Sequence, residues 1–387
     1  MKRDFNKPHP EKSTKVHFNN LDVLRVIAAL LVVFGHGMEG YLGWLGTPKF
    51  MNNLGDNLIY FDNFIANTGL GVNLFFIISG FLITYLLVVE KQQCNNIHVG
   101  KFMARRALRI WPLYYIAIAI GFVVVKYFSQ HPMPSFTPNL LFYNNFHALQ
   151  TMSWEFPFAH FWSIAVEEHF YLVWPLICWF FPIRKLAYAA VFLICFSMAF
   201  RLFIPSLYNQ EHAYYAMYLH TFSRMDEILV GALIAIWHFY KPISIKLSGW
   251  LRAAVYALGI LLLFTTRHND YWEMGVWSAL FKKYIYLGIA AFWLLNYLFN
   301  SQAWFNFKHK NVLHYLGKIS FGIYIYHNIF LEIYIQQIVQ RFHVYNIGLY
   351  LLLYFLFVIA IAVVSFELYE RYFLKLKDKF ALIKTER

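Results

Sequence analysis

An all-α, polytopic transmembrane bundle of about ten spans is the fold class that this sequence predicts, and three observations carry it. Of 387 residues, 60% are hydrophobic and 14% charged, with a mean hydropathy of +0.47. A soluble domain carries roughly 25% charged and about 45–50% apolar residues, so the excess apolar surface has to face lipid. Apolar stretches near the ~20 residues needed to cross a bilayer recur along the whole chain. Lys and Arg are also spread unevenly between alternate loops, as the positive-inside rule requires. The aromatic content of 21% fits the Trp and Tyr belts of membrane interfaces.

The stretches fall at residues 21–38, 69–89, 108–126, 161–181, 186–204, 225–240, 250–266, 284–300, 319–340 and 348–369. The first and sixth are short, and the fourth carries charge. Residues 139–150 are apolar but too short to cross, and read as a re-entrant or interfacial piece. With the N-terminus in the cytoplasm, the tails and alternate loops on that side hold 24 of the 33 Lys and Arg. Both termini are then cytoplasmic. Residues 1–20 and 371–387 become basic tails around one transmembrane unit, residues 21–370. The net charge of +13 is accounted for by topology, which leaves the bilayer as a partner and excludes nucleic acid. Cys94, Cys178 and Cys195 are too few and too scattered for a disulfide framework or a zinc site. Twenty polar residues precede the first apolar run and no small-x-small site follows it, so that run is expected to stay in the protein.

Membrane insertion does not account for every residue. A charge at the centre of a span costs about 2.5–3.5 kcal/mol on insertion scales and needs a reason. In the first span Arg25 and His36 are eleven residues apart, a rise of about 16 Å and roughly 20° beyond three turns, so they share one stripe. A lone His there reads as a satisfied core residue. The same-face Arg, with Gly35 and Gly37 allowing close approach, favours a functional one. In the second span, Asn73 lies within a Gly- and Ser-containing run suited to helix contact. Arg105, Arg106 and Arg109 cluster on about half a helical turn, either as a topogenic anchor or as forks for phosphate oxygens. The fourth span buries Glu167 and Glu168 beside His169. These carboxylates face a polar cavity, pair with an Arg, or orient a catalytic His; their spacing fits no metal motif. Arg224, Asp226 and Glu227 open the sixth span and read as a local interfacial pairing. Gly317 to His327 buries a further His, and Glu367 with Arg371 reads as an ion pair at a helix end.

Taken in order, these segments resemble the acyltransferase-3 family of integral membrane acyltransferases. Arg25 and His36 resemble its Arg-ten-residues-His signature. Residues 71–84 resemble its Gly-Val-Asp-x-Phe-Phe-x-x-Ser-Gly-Phe run, with Asn73 where Asp is frequent. Residues 102–115 are similar to its Arg-rich approach to the third span, followed by aromatic-Pro-x-Tyr-Tyr. Residues 161–175 resemble Trp-Ser-x-x-x-Glu-Glu-x-Phe-Tyr, and residues 315–327 resemble Leu-Gly-x-x-Ser-x-x-x-Tyr-x-x-His. Residues 365–374 resemble the closing Ser-x-x-x-x-Glu-Arg-Pro-Phe, with Tyr372 where Pro is usual.

The resemblance implies transfer of an acyl group, commonly acetyl from cytoplasmic acetyl-coenzyme A, to a hydroxyl of an envelope carbohydrate or glycolipid at the bacterial inner membrane. It further implies transfer by the membrane domain alone, since no SGNH-type esterase-like segment follows the last span. A hydroxyl needs a positioned base, and His36 is the expected one, or else the acyl carrier, with Glu167 or Glu168 holding its tautomer. Arg105, Arg106 and Arg109 are expected to bind the phosphates of acyl-coenzyme A, with Arg25 on the route to His36. No metal is expected. A polytopic transporter or flippase of a glycan or lipid precursor is the competing class; it would share the intramembrane charges but not the ordered motif series.

Overall fold

The computed structural model describes residues 18, 20–46, 57–266, 275–300 and 312–383. Most of the N-terminal tail and the 301–311 loop, both used in the charge count, lie outside the described residues. The described chain is helical, with no strand. In chain order the helices are α1 Leu21–Leu45, α2 Leu58–Asn67, α3 Leu70–Cys94, α4 Val99–Phe128, α5 Phe136–Leu140, α6 Asn144–Thr151, α7 Trp162–Phe180 and α8 Ile183–Leu207. They continue with α9 Gln210–Leu219, α10 Thr221–Tyr240, α11 Gly249–Thr265, α12 Gly275–Phe299, α13 Val312–Ile329, α14 Leu331–Tyr334, α15 Ile347–Ser365 and α16 Arg371–Lys377.

Each of the ten apolar segments coincides, to within a residue at its end, with a helix or a continuous helical run, and the protein is a multi-pass helical membrane protein. The count of ten spans does not follow from length and composition alone. Five helical runs are long and apolar enough to cross: Leu21–Leu45, Leu58–Cys94, Val99–Phe128, Ile183–Leu207 and Ile347–Phe380. Helices α7, α10, α12 and α13 instead carry Glu167 and Glu168, Arg224 to Glu227, Lys282 and Lys283, and Lys318. The 139–150 piece forms the end of α5 and most of α6, and Tyr114 Oη donates to Asn139 O at 2.6 Å.

Helix α3 is the axis of the bundle, packed on α1, α7, α10 and α12. Its tightest crossing is with α10, where glycines let the two backbones touch. A Cβ on Gly80 would lie 1.8 Å from Ile228 O, and one on Gly231 would lie 2.0 Å from Ile77 O. Small residues at such crossings give membrane helices their close contact. The obstacle is backbone, which cannot rotate aside. Gly80→Ala is therefore expected to cost at least about 1–3 kcal/mol, read as a lowered unfolding midpoint in detergent. Gly43 has nothing within 4 Å of its Cβ position, so Gly43→Ala should leave the midpoint unchanged or raise it slightly.

Helix ends inside the bundle leave carbonyls that need donors. Lys91 Nζ, from α3, donates to Cys178 O, Trp179 O and Phe181 O at 2.6, 2.9 and 2.6 Å, closing the end of α7. Asn67, from α2, does the same for α11 through Leu263 O and Thr266 O.

The charges that open α10 pair locally only in part, through Arg224 and Glu227, and they are buried and joined to other helices. Asp226 accepts from Arg201 Nη2 at 2.6 Å, Lys283 Nζ at 3.0 Å and Tyr284 Oη at 2.9 Å. Glu227 Oε1 lies 2.9 Å from Lys283 Nζ and 3.2 Å from Arg224 Nη1. Arg224 Nη2 also donates to Asn73 Oδ1 at 2.9 Å. Arg201, Arg224, Asp226, Glu227 and Lys283 are all buried, so α3, α8, α10 and α12 are tied by one network. The reason lies in partners 25 and 57 residues away, outside the reach of helical spacing. At the chain's far end, Arg371 and Glu367 do form the expected exposed pair at 2.9 Å. Glu370 instead turns inward and accepts from Ser365 Oγ at 3.0 Å.

Candidate active site

Three histidines meet where α1, α13 and the turn before α7 converge. The His36 and His327 ring centroids are 4.9 Å apart, His160 and His327 4.7 Å, and His36 and His160 6.5 Å. The approach depends on the two glycines flanking His36. A Cβ on Gly35 would lie 2.0 Å from Thr68 Oγ1, and one on Gly37 would lie 2.8 Å from the Tyr354 ring. Tyr354 and Tyr350 then brace the site from α15, donating to His327 O at 2.9 Å and to Gly37 O at 3.0 Å.

Backbone carbonyls assign the tautomers, because a carbonyl only accepts. His327 Nδ1 faces Tyr324 O and so carries its proton, leaving Nε2 as an acceptor. His36 Nδ1 lies 3.3 Å from that Nε2 and 3.1 Å from Val32 O. Both partners accept, so neutral His36 is protonated at Nδ1 and its Nε2 holds the lone pair. His160 Nε2 donates to Ile325 O at 3.0 Å. His36 and His160 line a cavity of about 670 Å³, shared with Glu39, Trp162 and Tyr324. His327 is fully buried behind them. By the same rule His160 keeps its lone pair on Nδ1, which is buried without a hydrogen-bond partner, while His36 stands at the cavity with its ring fixed from behind by His327.

Glu167 and Glu168, expected beside His36, take hydrogen bonds from other groups than the three histidines. Glu167 Oε2 accepts from Tyr171 Oη at 2.8 Å, and Tyr171 Oη is 2.5 Å from Ser79 Oγ. Glu168 Oε2 accepts from Trp111 Nε1 at 3.1 Å, on the side facing α4. The cause is helical register. His160 and Ser163 begin the face that meets the histidines, with Tyr324 Oη 2.6 Å from Ser163 Oγ. Glu167 is one turn, about 5–6 Å, further along, and Glu168 is rotated a further 100° to another neighbour.

The cationic residues fall into separate roles. Arg106 stacks its guanidinium over Phe102 and Tyr171, at 5.4 and 5.7 Å from the ring centroids. Its electrostatic neighbours include Arg105, Glu167 and Arg25. Arg109 lies within electrostatic reach of both Glu167 and Glu370. Arg105 is committed elsewhere, to the buried carboxylate of Glu90 at 3.0 Å and to Phe380 O at 3.0 Å. Arg25 pairs with Asp22 at 3.0 Å. Among the described residues no cluster of His, Cys, Asp and Glu has the arrangement of a metal site.

A basic His between a cavity and a belt of arginines suits acyl transfer, and comparison with known sequences decides the family. The acyltransferase domain of the acyltransferase-3 family matches residues 18–368. The chain belongs to this family. Among similar proteins, an uncharacterized protein of Haemophilus influenzae is 30% identical over 214 residues, which are 50% of this chain and 85% of that protein. The putative peptidoglycan O-acetyltransferase YrhL of Bacillus subtilis is 26% identical over 288 residues, 68% of this chain and 44% of its own length. The O-acetyltransferase OatA of Staphylococcus aureus is 26% identical over 281 residues, 67% and 45% of the two chains. This chain therefore spans less than half the length of the two named O-acetyltransferases. No solved structure matches it.

Within this acyltransferase fold the sequence pointed to His36 and singled out His327 as a buried histidine without joining the two. It gave no role to His160 or Glu39. A signal for His160 was present, a His directly before Phe-Trp-Ser at the head of α7. Glu39 follows His36 by three residues, which places both on one face.

Proposed function

We propose that this acyltransferase moves an acyl group, acetyl in the simplest case, from cytoplasmic acyl-coenzyme A to a hydroxyl of a carbohydrate or glycolipid acceptor across the bacterial inner membrane. Both termini are cytoplasmic in this reading. The single observation that carries it is the His36 tautomer, whose basic Nε2 is left free beside a cavity. In the proposed step the acceptor hydroxyl gives its proton to His36 Nε2 as its oxygen attacks the thioester carbonyl. The C–S bond breaks, and the proton passes to the leaving thiolate, giving ester and free coenzyme A. His327 is the positioning residue for His36, in place of a carboxylate. Membrane vesicles supplied with radiolabelled acetyl-coenzyme A and cell-wall glycan test this. Ester-linked label on the glycan is expected; glycan translocated without label would instead establish a transporter.

The donor side is assigned to Arg106 and Arg109, with Arg25 on the route and Arg105 in a supporting place through Glu90. Arg106→Ala is expected to weaken acyl-coenzyme A binding about tenfold or more, the loss of a charge-assisted bond. Arg106→Lys should rescue only part, because a fork that stacks and bonds bidentately is replaced by a point charge. If Arg106 only sets topology, Lys restores everything. Donor affinity in detergent, with reporter fusions checking topology in parallel, separates the two.

A further inference from the structure

Part of the cavity's lining is aromatic, and its order is set from behind. Trp162 and Tyr218 rings meet at 4.9 Å, Trp154 stands nearly perpendicular to Tyr218 at 5.8 Å, and Tyr214 is coplanar in orientation with Tyr218 at 6.3 Å. The buried Arg224 guanidinium lies 5.2 Å from the Trp162 centroid and 5.4 Å from that of Tyr218. Its own position is fixed by Asn73 and Glu227. The rings are thus held before any ligand arrives. Trp154 is 38% exposed, so the wall runs from the histidines to the mouth.

Charge at this cavity is one-sided. Among the described residues no Lys or Arg lines it, while Glu39 does. Glu39 is exposed and makes no ion pair among the described residues. Among the described residues that line it, a polyphosphate meets no Lys or Arg, in contrast to the arginine side, and this favours the cavity as the place of the other substrate. Aromatic faces carry negative quadrupole charge and attract the positive C–H edges of a ring laid on them. They also attract an ammonium group, and an isolated carboxylate at the rim repels anions.

We infer that Trp154, Tyr214 and Tyr218 form a stacking subsite for the acceptor sugar, and that Glu39 at its edge selects neutral or amine-bearing saccharides over acidic ones. This rests on reading the cavity as the acceptor side, and binding measurements test it without any acyl transfer. The probes are N,N′-diacetylchitobiose, the free-amine chitosan disaccharide and the glucuronate-containing hyaluronan disaccharide, followed by saturation-transfer NMR with the full chain in detergent. The first two should bind, the chitosan disaccharide the tighter, and the hyaluronan disaccharide at least about fivefold more weakly. Glu39→Gln should narrow that gap by about two- to fivefold, the worth of an exposed charge pair. Trp154→Ala and Tyr218→Phe,Trp154→Ala should lower affinity about tenfold, as for aromatic anchors, while Trp154→Phe keeps most of it. Equal binding of all three sugars, an unchanged ranking in Glu39→Gln, or wild-type affinity in Trp154→Ala overturns the inference. So does the absence of any binding. Retained, ranked binding without acetyl transfer from acetyl-coenzyme A overturns the proposed function and leaves the subsite standing.

Discussion

The His36→Ala protein is expected to lose acyl transfer by about 10²–10⁴-fold, the usual contribution of a general base, and by more if His36 also carries the acyl group. Acyl-coenzyme A affinity and the unfolding midpoint should change little, because the side chain is half-buried at a cavity and its hydrogen bonds go to one carbonyl and one histidine. The arrangement makes a second expectation at His327. Its Nε2 accepts from His36 Nδ1, and a glutamine can supply an acceptor oxygen in roughly that place. His327→Gln should therefore keep part of the rate that His327→Leu loses, with the acceptor KM little changed in either. A purely structural role for His327 predicts instead that kcat follows stability, with no advantage for Gln over Leu.

The largest effect on stability is expected at Asp226. Its carboxylate receives Arg201, Lys283 and Tyr284 in a fully buried setting. Asp226→Ala leaves two buried cations facing each other, with Glu227 as the remaining carboxylate of the cluster. Removing one partner of a buried ion pair costs about 3–5 kcal/mol, because the other charge stays buried without compensation. Thermal unfolding in detergent should show a midpoint far below wild type, or no folded protein recovered. The double change Asp226→Leu,Lys283→Met removes charges of both signs and should recover part of the loss. A midpoint within a degree or two of wild type for Asp226→Ala would contradict the network as described.

These two sites differ in how far the sequence reveals them. His36 is legible because a titratable residue between two glycines in an apolar helix has few explanations, and because Arg25 shares its stripe. The ten apolar segments are legible for the same elementary reason, that lipid demands continuous apolar surface. The number that cross is less so, since helices such as α10 and α12 hide their charges against each other and lower their own hydropathy. Asp226 shows the limit plainly. Its neighbours in sequence suggest a local pair, while its partners come from α8 and α12, and helical periodicity says nothing about which helix stands opposite. The surroundings of Glu167 are hidden for a related reason. Its distance from His36 depends on how α7 is seated along α1 and α13, and that seating is decided by contacts such as Tyr324 with Ser163 rather than by any spacing within α7.

Acyl transfer through His36 is the step proposed for the membrane-embedded chain. The most direct measurement places purified protein in liposomes, with acetyl-labelled acetyl-coenzyme A on the arginine side and N,N′-diacetylchitobiose on the cavity side. Label should appear as an alkali-labile ester on the saccharide with the wild-type protein and stay at background with His36→Ala. Equal labelling by the two proteins would contradict the account.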